Sequence, residues 1–163
     1  MFNKLTFKMK RLILISSLLL TVISATAQSK SFHNFYNSFN GREGYTTIEM
    51  SGKMLSMINV DGEGVDSELA KVFNKVKRLM IVVVDHNNDE FTAAINKLIN
   101  SPEYEMLTSV NNEGVAIKLY AADDQREFLM YVSDPDNSLM LSIYGEKLTM
   151  KQLTQFTKII KVN

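Results

Sequence analysis

The sequence predicts an α+β domain built on a mostly antiparallel sheet, and three observations lead there. Leu79 to Val84 is a continuous apolar run, rich in β-branched residues and without alternation, the pattern of a strand buried on both faces. On either side of it apolar residues recur at helical spacing: Phe32, Phe35, Tyr36 and Phe39 before it, and Phe91, Ala94, Ile95, Leu98 and Ile99 after it. From Tyr104 the period changes to two, and turn residues divide the chain into four strand-like stretches. Such short connections join antiparallel neighbours, so the expected architecture is a C-terminal four-strand meander with helices packed mainly on one face.

Residues 1–27 stand apart from that domain. Lys4, Lys8, Lys10 and Arg11 form a positive start, and Leu12 to Ile23 is apolar except for Ser16, Ser17 and Thr21. Ala25-Thr26-Ala27 is an A-x-A site with Gln28 behind it. This is the pattern of a cleaved secretory signal peptide, and its apolar core is shorter than the roughly 20 residues of a membrane span. Met9, followed by Lys10 and Arg11, offers an alternative start with its own charged region. Residues 28–163 then form a single domain, within the usual size of about 100–200 residues.

The elements follow in order. Ser31–Asn40 reads as an amphipathic helix ended by Gly41 and Gly44, and Tyr45–Met50 as a first strand. Ser51 caps a short helix whose apolar face is Met54, Leu55 and Ile58. Asn59–Val65 is a loop with Gly62 and Gly64, and Asp66 or Ser67 caps a helix carrying Leu69, Val72, Phe73 and Val76 on one face. Asn87 and Glu90 have the spacing of a cap and its partner for the helix through Ile99, and Pro102 lies beyond its end. The four late strands are Tyr104–Ser109, Val115–Ala121, Glu127–Ser133 and Leu139–Tyr144. One face of them stays apolar through Val115, Ile117, Leu119, Phe128, Met130, Val132, Leu139, Leu141 and Ile143. Thr149 and Gln152 form a capping box for the last helix, with Leu148 and Leu153 as its hydrophobic staple. Phe156, Ile159 and Ile160 continue that helix's apolar face.

Charge and cysteine content exclude several classes. The whole chain holds 18 basic and 18 acidic residues, but four of the basic ones lie in residues 1–27, so the domain carries a net charge of −4. It has no basic run of the kind that binds nucleic-acid phosphates or anionic lipid. With no cysteine there is no thiol chemistry, no cysteine metal site and no lipidated cysteine. The expectation is a periplasmic or secreted protein with no membrane insertion or lipid anchor after signal cleavage.

Each group with possible chemistry has a plainer reading beside it. Asp85, Asn87 and Asp89 begin like a calcium loop, but Glu90 stands where that loop wants glycine and Asn96 where it wants a bidentate glutamate. A strand-to-helix turn accounts for them. Asp61, Glu63 and Asp66 read as a solvated acidic loop, and Asp123-Asp124 and Asp134-Pro135-Asp136-Asn137 as hairpin turns. Met50, Met54 and Met57 are either core packing or soft thioether ligands for Cu(I). His33 and His86 have no nucleophile motif around them, and phosphate-cradling glycine loops are absent. Phe32, Phe35, Tyr36 and Phe39 are core if their helix docks and a partner surface if it does not. No catalytic, cofactor-binding or metal-binding residue is assigned, and no cofactor is expected.

The chain resembles the domain of unknown function 4252 family of small exported proteins of Gram-negative bacteria. The resemblance rests on the aromatic helix Phe32–Phe39 and on Tyr45-Thr46-Thr47-Ile48-Glu49-Met50-Ser51 before a methionine-rich turn. It rests also on Lys77-Arg78-Leu79-Met80-Ile81-Val82-Val83-Val84, Leu139–Gly145 and Leu148–Phe156. It covers about residues 31 to 160 and implies no activity, so no functional residue is carried over. It implies a gene encoded near regulators of the extracytoplasmic sigma-factor kind. Many members look like lipoproteins, whereas this chain lacks the cysteine. The expected function is a non-catalytic binding module for an unidentified envelope protein or peptide, in sensing or stress, rather than an enzyme. The alternative is a periplasmic metal- or small-ligand-binding protein using Met50, Met54 and Met57 or the acidic loop.

Overall fold

A computed structural model describes residues 30–58 and 71–153. The expected signal peptide, the loop Asn59–Val65 with Asp61 and Glu63, Asp66, Ser67, Leu69 and the stripe of Phe156, Ile159 and Ile160 lie outside these residues. The elements in chain order are α1 (Lys30–Phe39), β1 (Tyr45–Ser51), α2 (Gly52–Ile58), β2 (Val76–Val84) and α3 (Asp89–Ile99). Then come β3 (Tyr104–Asn112), β4 (Val115–Ala122), β5 (Glu127–Ser133) and β6 (Ser138–Gly145). Residues 71–73 and 150–153 are also helical. The fold is α+β. Its sheet is antiparallel throughout, in the order β1-β2-β6-β5-β4-β3. The last strand folds back to pair with β2, which makes both central and leaves β1 and β3 as edges.

Side chains alternate between the two faces of a strand, so a sheet apolar at successive positions needs cover on both. The expectation of helices mainly on one face is corrected on that ground. Phe32, Phe35, Tyr36 and Phe39 of α1 and Phe91, Ile95 and Leu98 of α3 pack on Met80, Val82, Val84, Tyr120, Leu129 and Met140. On the other face Leu55 of α2, Val72, Leu148 and Leu153 pack on Leu79, Leu119, Phe128, Met130, Leu141 and Ile143. The apolar stripe expected of the late strands belongs to this second face. The aromatic helix instead docks on the intervening positions, where Tyr120, Leu129, Tyr131 and Met140 supply apolar surface between polar residues.

Local chemistry explains the boundaries. β2 begins at Val76, three residues before the apolar run, so Val76 is a strand residue and not part of a helical face. Its start is set by close backbone approach. A Cβ on Gly145 would run into the Lys75 carbonyl and one on Gly52 into the Val76 carbonyl. Only glycine lets these backbones meet. β3 and β4 are joined by Glu113-Gly114, both at positive φ (48° and 87°), the backbone of a tight hairpin matched to strand twist. The capping box forms as expected: Gln152 N–H donates to Thr149 Oγ1 at 3.3 Å and Thr149 N–H to Gln152 Oε1 at 3.0 Å, and Leu148 and Leu153 are both buried.

The cap of α3 is Asn88, one residue later than expected. Its Oδ1 accepts from Phe91 N–H at 2.8 Å. Asn87 is taken by the β5–β6 turn instead, donating from Nδ2 to the Asp134 carbonyl at 2.8 Å and accepting at Oδ1 from Ser138 Oγ. Glu90 is likewise drawn away. It holds Arg42 by two bonds of 2.8 Å each, from Nη1 and Nη2. The Arg42 guanidinium also lies 5.6 Å from the Phe39 ring centroid and 5.3 Å from that of Tyr45. Arg42 thus joins the C-terminal end of α1, the start of β1 and the first turn of α3.

Candidate functional site

The residues singled out for chemistry do not come together. His33 and His86 are exposed, on α1 and in the loop after β2. Asp85, Asn87 and Asp89 form the strand-to-helix turn. Asp134 is a turn carboxylate: its Oδ1 accepts from the backbone N–H groups of Asn137 at 2.7 Å and Asp136 at 2.8 Å. Those bonds, Asn137's first, hold it below the usual carboxylate range. Among the described residues no group of three His, Cys, Asp or Glu side chains is placed to hold a metal. None of the described helices is long and apolar enough to cross a membrane. Met50 is half-buried against the second-face core, but Met54 and Met57 of α2 are 52% and 62% exposed.

What the topology does build is an open strand edge. Among the described residues β3 pairs with β4 on one side only, and after the buried Tyr104 its eight remaining residues are exposed. It is long for an edge strand and carries one charge, Glu105, with no lysine or proline to discourage pairing. Met106 is 55% and Val110 51% exposed. The pairing with β4 slips between Met106 and Thr108, so Leu107 is an extra residue in the ladder. Such a bulge re-aims side chains. Met106 sits opposite Tyr120, in the row that crosses Leu129, Ser142 and Met80 on the aromatic-helix face. Leu107 turns to the other side.

There Leu107 lines a groove of about 440 Å³ between the β3–β4 edge and the start of the last helix. Ala121, Phe128, Leu148 and Met150 complete its apolar lining, and Glu105, Asp123, Gln125 and Lys147 stand at its rim. A second groove of about 410 Å³ runs between α1 and α3 over Phe35, Ala94 and Leu98, with a rim of serines, Asn34 and Lys97.

The edge is anchored by a buried carboxyl that alternation alone did not single out. Glu127, 1% exposed, accepts from Ser142 Oγ at 2.7 Å and from Tyr104 Oη at 3.2 Å. It ties the first residue of β3 to β5 and β6. A polar residue at a strand start looks solvent-facing in the sequence, and only the pairing places two hydroxyls over it. Tyr120, on the adjacent strand, is pushed up in pKa by burial.

The fold and edge define a class: an α+β domain that offers an open strand with an apolar groove beside it. The family model for the domain of unknown function 4252 matches residues 36–156, most of the chain, and the protein belongs to that family. No curated protein and no solved structure matches it.

Proposed function

We propose that the protein is a non-catalytic, exported binding module of the bacterial envelope that captures an extended segment of a protein or peptide partner, in sensing or stress. The observation that carries this reading is β3, an edge strand of nine residues with eight exposed and one charge. An exposed edge offers a row of backbone donors and acceptors, and a peptide that adds as a further strand satisfies them. The signal-peptide pattern of residues 1–27 supports the address. The test is site-specific photo-crosslinking in the native envelope with the probe at Met106 or Val110, against a probe at exposed His33. A product formed from both β3 positions and not from His33 supports the reading. Equal labelling from all three removes it.

A second reading has one observation in its favour. Met54 and Met57 lie one helical turn apart and are left in solvent, where a thioether contributes no core packing. Two exposed thioethers at this spacing, with Met50 a third nearby in sequence, are donors of the type that suits a soft ion such as Cu(I). A ligand that binds the folded state raises its melting temperature. An unchanged melting temperature with excess Cu(I) under reducing conditions eliminates this reading.

A further inference from the structure

The occupant of the β3 edge can be specified from the side chains that would face it, an inference that rests on the strand-capture reading. In an antiparallel ladder each residue of an added strand stands opposite one residue of β3, with Cβ atoms about 5 Å apart on the same face. The positions of β3 therefore act as a template. Glu105 is exposed, has no ion-pair partner among the described residues, and shares the groove rim with Asp123 and a single cation, Lys147. Met106 is exposed on one face. Leu107 opens the apolar groove on the other, with Leu148 and Met150 behind it.

We propose that β3 takes an extended segment of another protein in which two apolar residues are followed by a lysine or arginine. The basic side chain stands opposite Glu105, the apolar residue just before it covers Met106, and the one before that enters the groove at Leu107. Charge complementarity separates this occupant from a second copy of the same strand. Residues 104–112 contain Glu105 and no lysine or arginine, so β3 pairing with itself leaves both copies of Glu105 without a counter-charge.

The test is fluorescence anisotropy on the mature protein with three labelled strand-forming peptides, alike except for lysine, glutamine or glutamate at the basic position. The lysine peptide is expected to bind roughly two- to fivefold tighter than the glutamine peptide, and the glutamate peptide weakest, as cross-strand charge pairs allow. In Glu105→Lys, a change at an exposed residue, the order reverses. Equal binding of all three overturns the proposed chemistry while leaving the strand-capture reading in place. If none binds and sedimentation finds a dimer that Met106→Lys dissolves, the occupant is a second copy. If none binds to a folded monomer, strand capture itself fails.

Discussion

At one end of the sheet β1 lies beside α1, with Tyr45, Thr47 and Met50 half-buried; at the other, β3 leaves its residues beyond Tyr104 in solvent. Both are edge strands of similar length. They differ in what the neighbouring chain does. Next to β1, Phe39, Tyr45 and Phe91 meet ring to ring at centroid distances of 4.6 to 5.9 Å, and Asn88 Nδ2 donates to Tyr45 Oη at 3.1 Å. Glu49 also pairs with Arg78 at 3.4 Å across to β2. Next to β3 there is a groove. The start of β1 is pinned by aromatic area and by bonds to the cap of α3, whereas β3 has no such contact beyond Tyr104 among the described residues.

The largest expected effect breaks the closed end. Phe39→Ala removes a ring that is almost wholly buried and touches Phe35, Tyr45 and Phe91, and should cost about 3–5 kcal/mol, read as a lower urea midpoint. Gly145→Ala attacks the centre, forcing a methyl into the Lys75 carbonyl where β6 meets β2. A loss of about 1–3 kcal/mol in the same assay is expected, and an unchanged midpoint would mean that the backbones separate at no cost. Asn88→Ala should cost about 1 kcal/mol by uncapping α3, read as a lower urea midpoint in the same assay.

The pH dependence sharpens the comparison further. Hydrogen bonding to Arg42 holds Glu90 below its ordinary value, so its contribution is present above the unfolded carboxylate pKa and is lost as pH falls through the folded one. Tyr120, raised by burial, acts in the other direction. Its contribution is complete below the phenol's ordinary pKa of about 10 and is lost as pH rises above that. Melting curves should therefore weaken at acid pH in a way that Glu90→Gln reduces, and at alkaline pH in a way that Tyr120→Phe reduces. The smallest effect belongs to the open edge. Val110→Lys should move stability by no more than about 0.5 kcal/mol, because half of the side chain is already in water. A large loss there would mean that the edge is structurally closed.

Much of this architecture is legible in the sequence. The helical stripes of α1 and α3, the buried run of β2 and the turns between the late strands are local patterns, and local sterics and burial set them one segment at a time. So is the Thr149–Gln152 cap, whose partners sit three residues apart. The misplacements have a common cause. Asn87 and Glu90 look like a cap and its partner because of their spacing, but Asn87 finds Asp134 and Ser138, 47 and 51 residues away, and Glu90 finds Arg42, 48 residues away. Met54 occupies an apolar position of a helical pattern and yet faces water.

The sequence by itself determined the elements, their period and the absence of cysteine chemistry, because backbone preference and amphipathicity act over a few neighbouring residues. The return of β6 onto β2 was decided only by the tertiary structure. That pairing makes β3 an edge, brings Ser142 and Tyr104 onto Glu127, and opens the groove beside Leu107. Strand order depends on which surfaces bury each other across the whole domain, and no single segment carries that information.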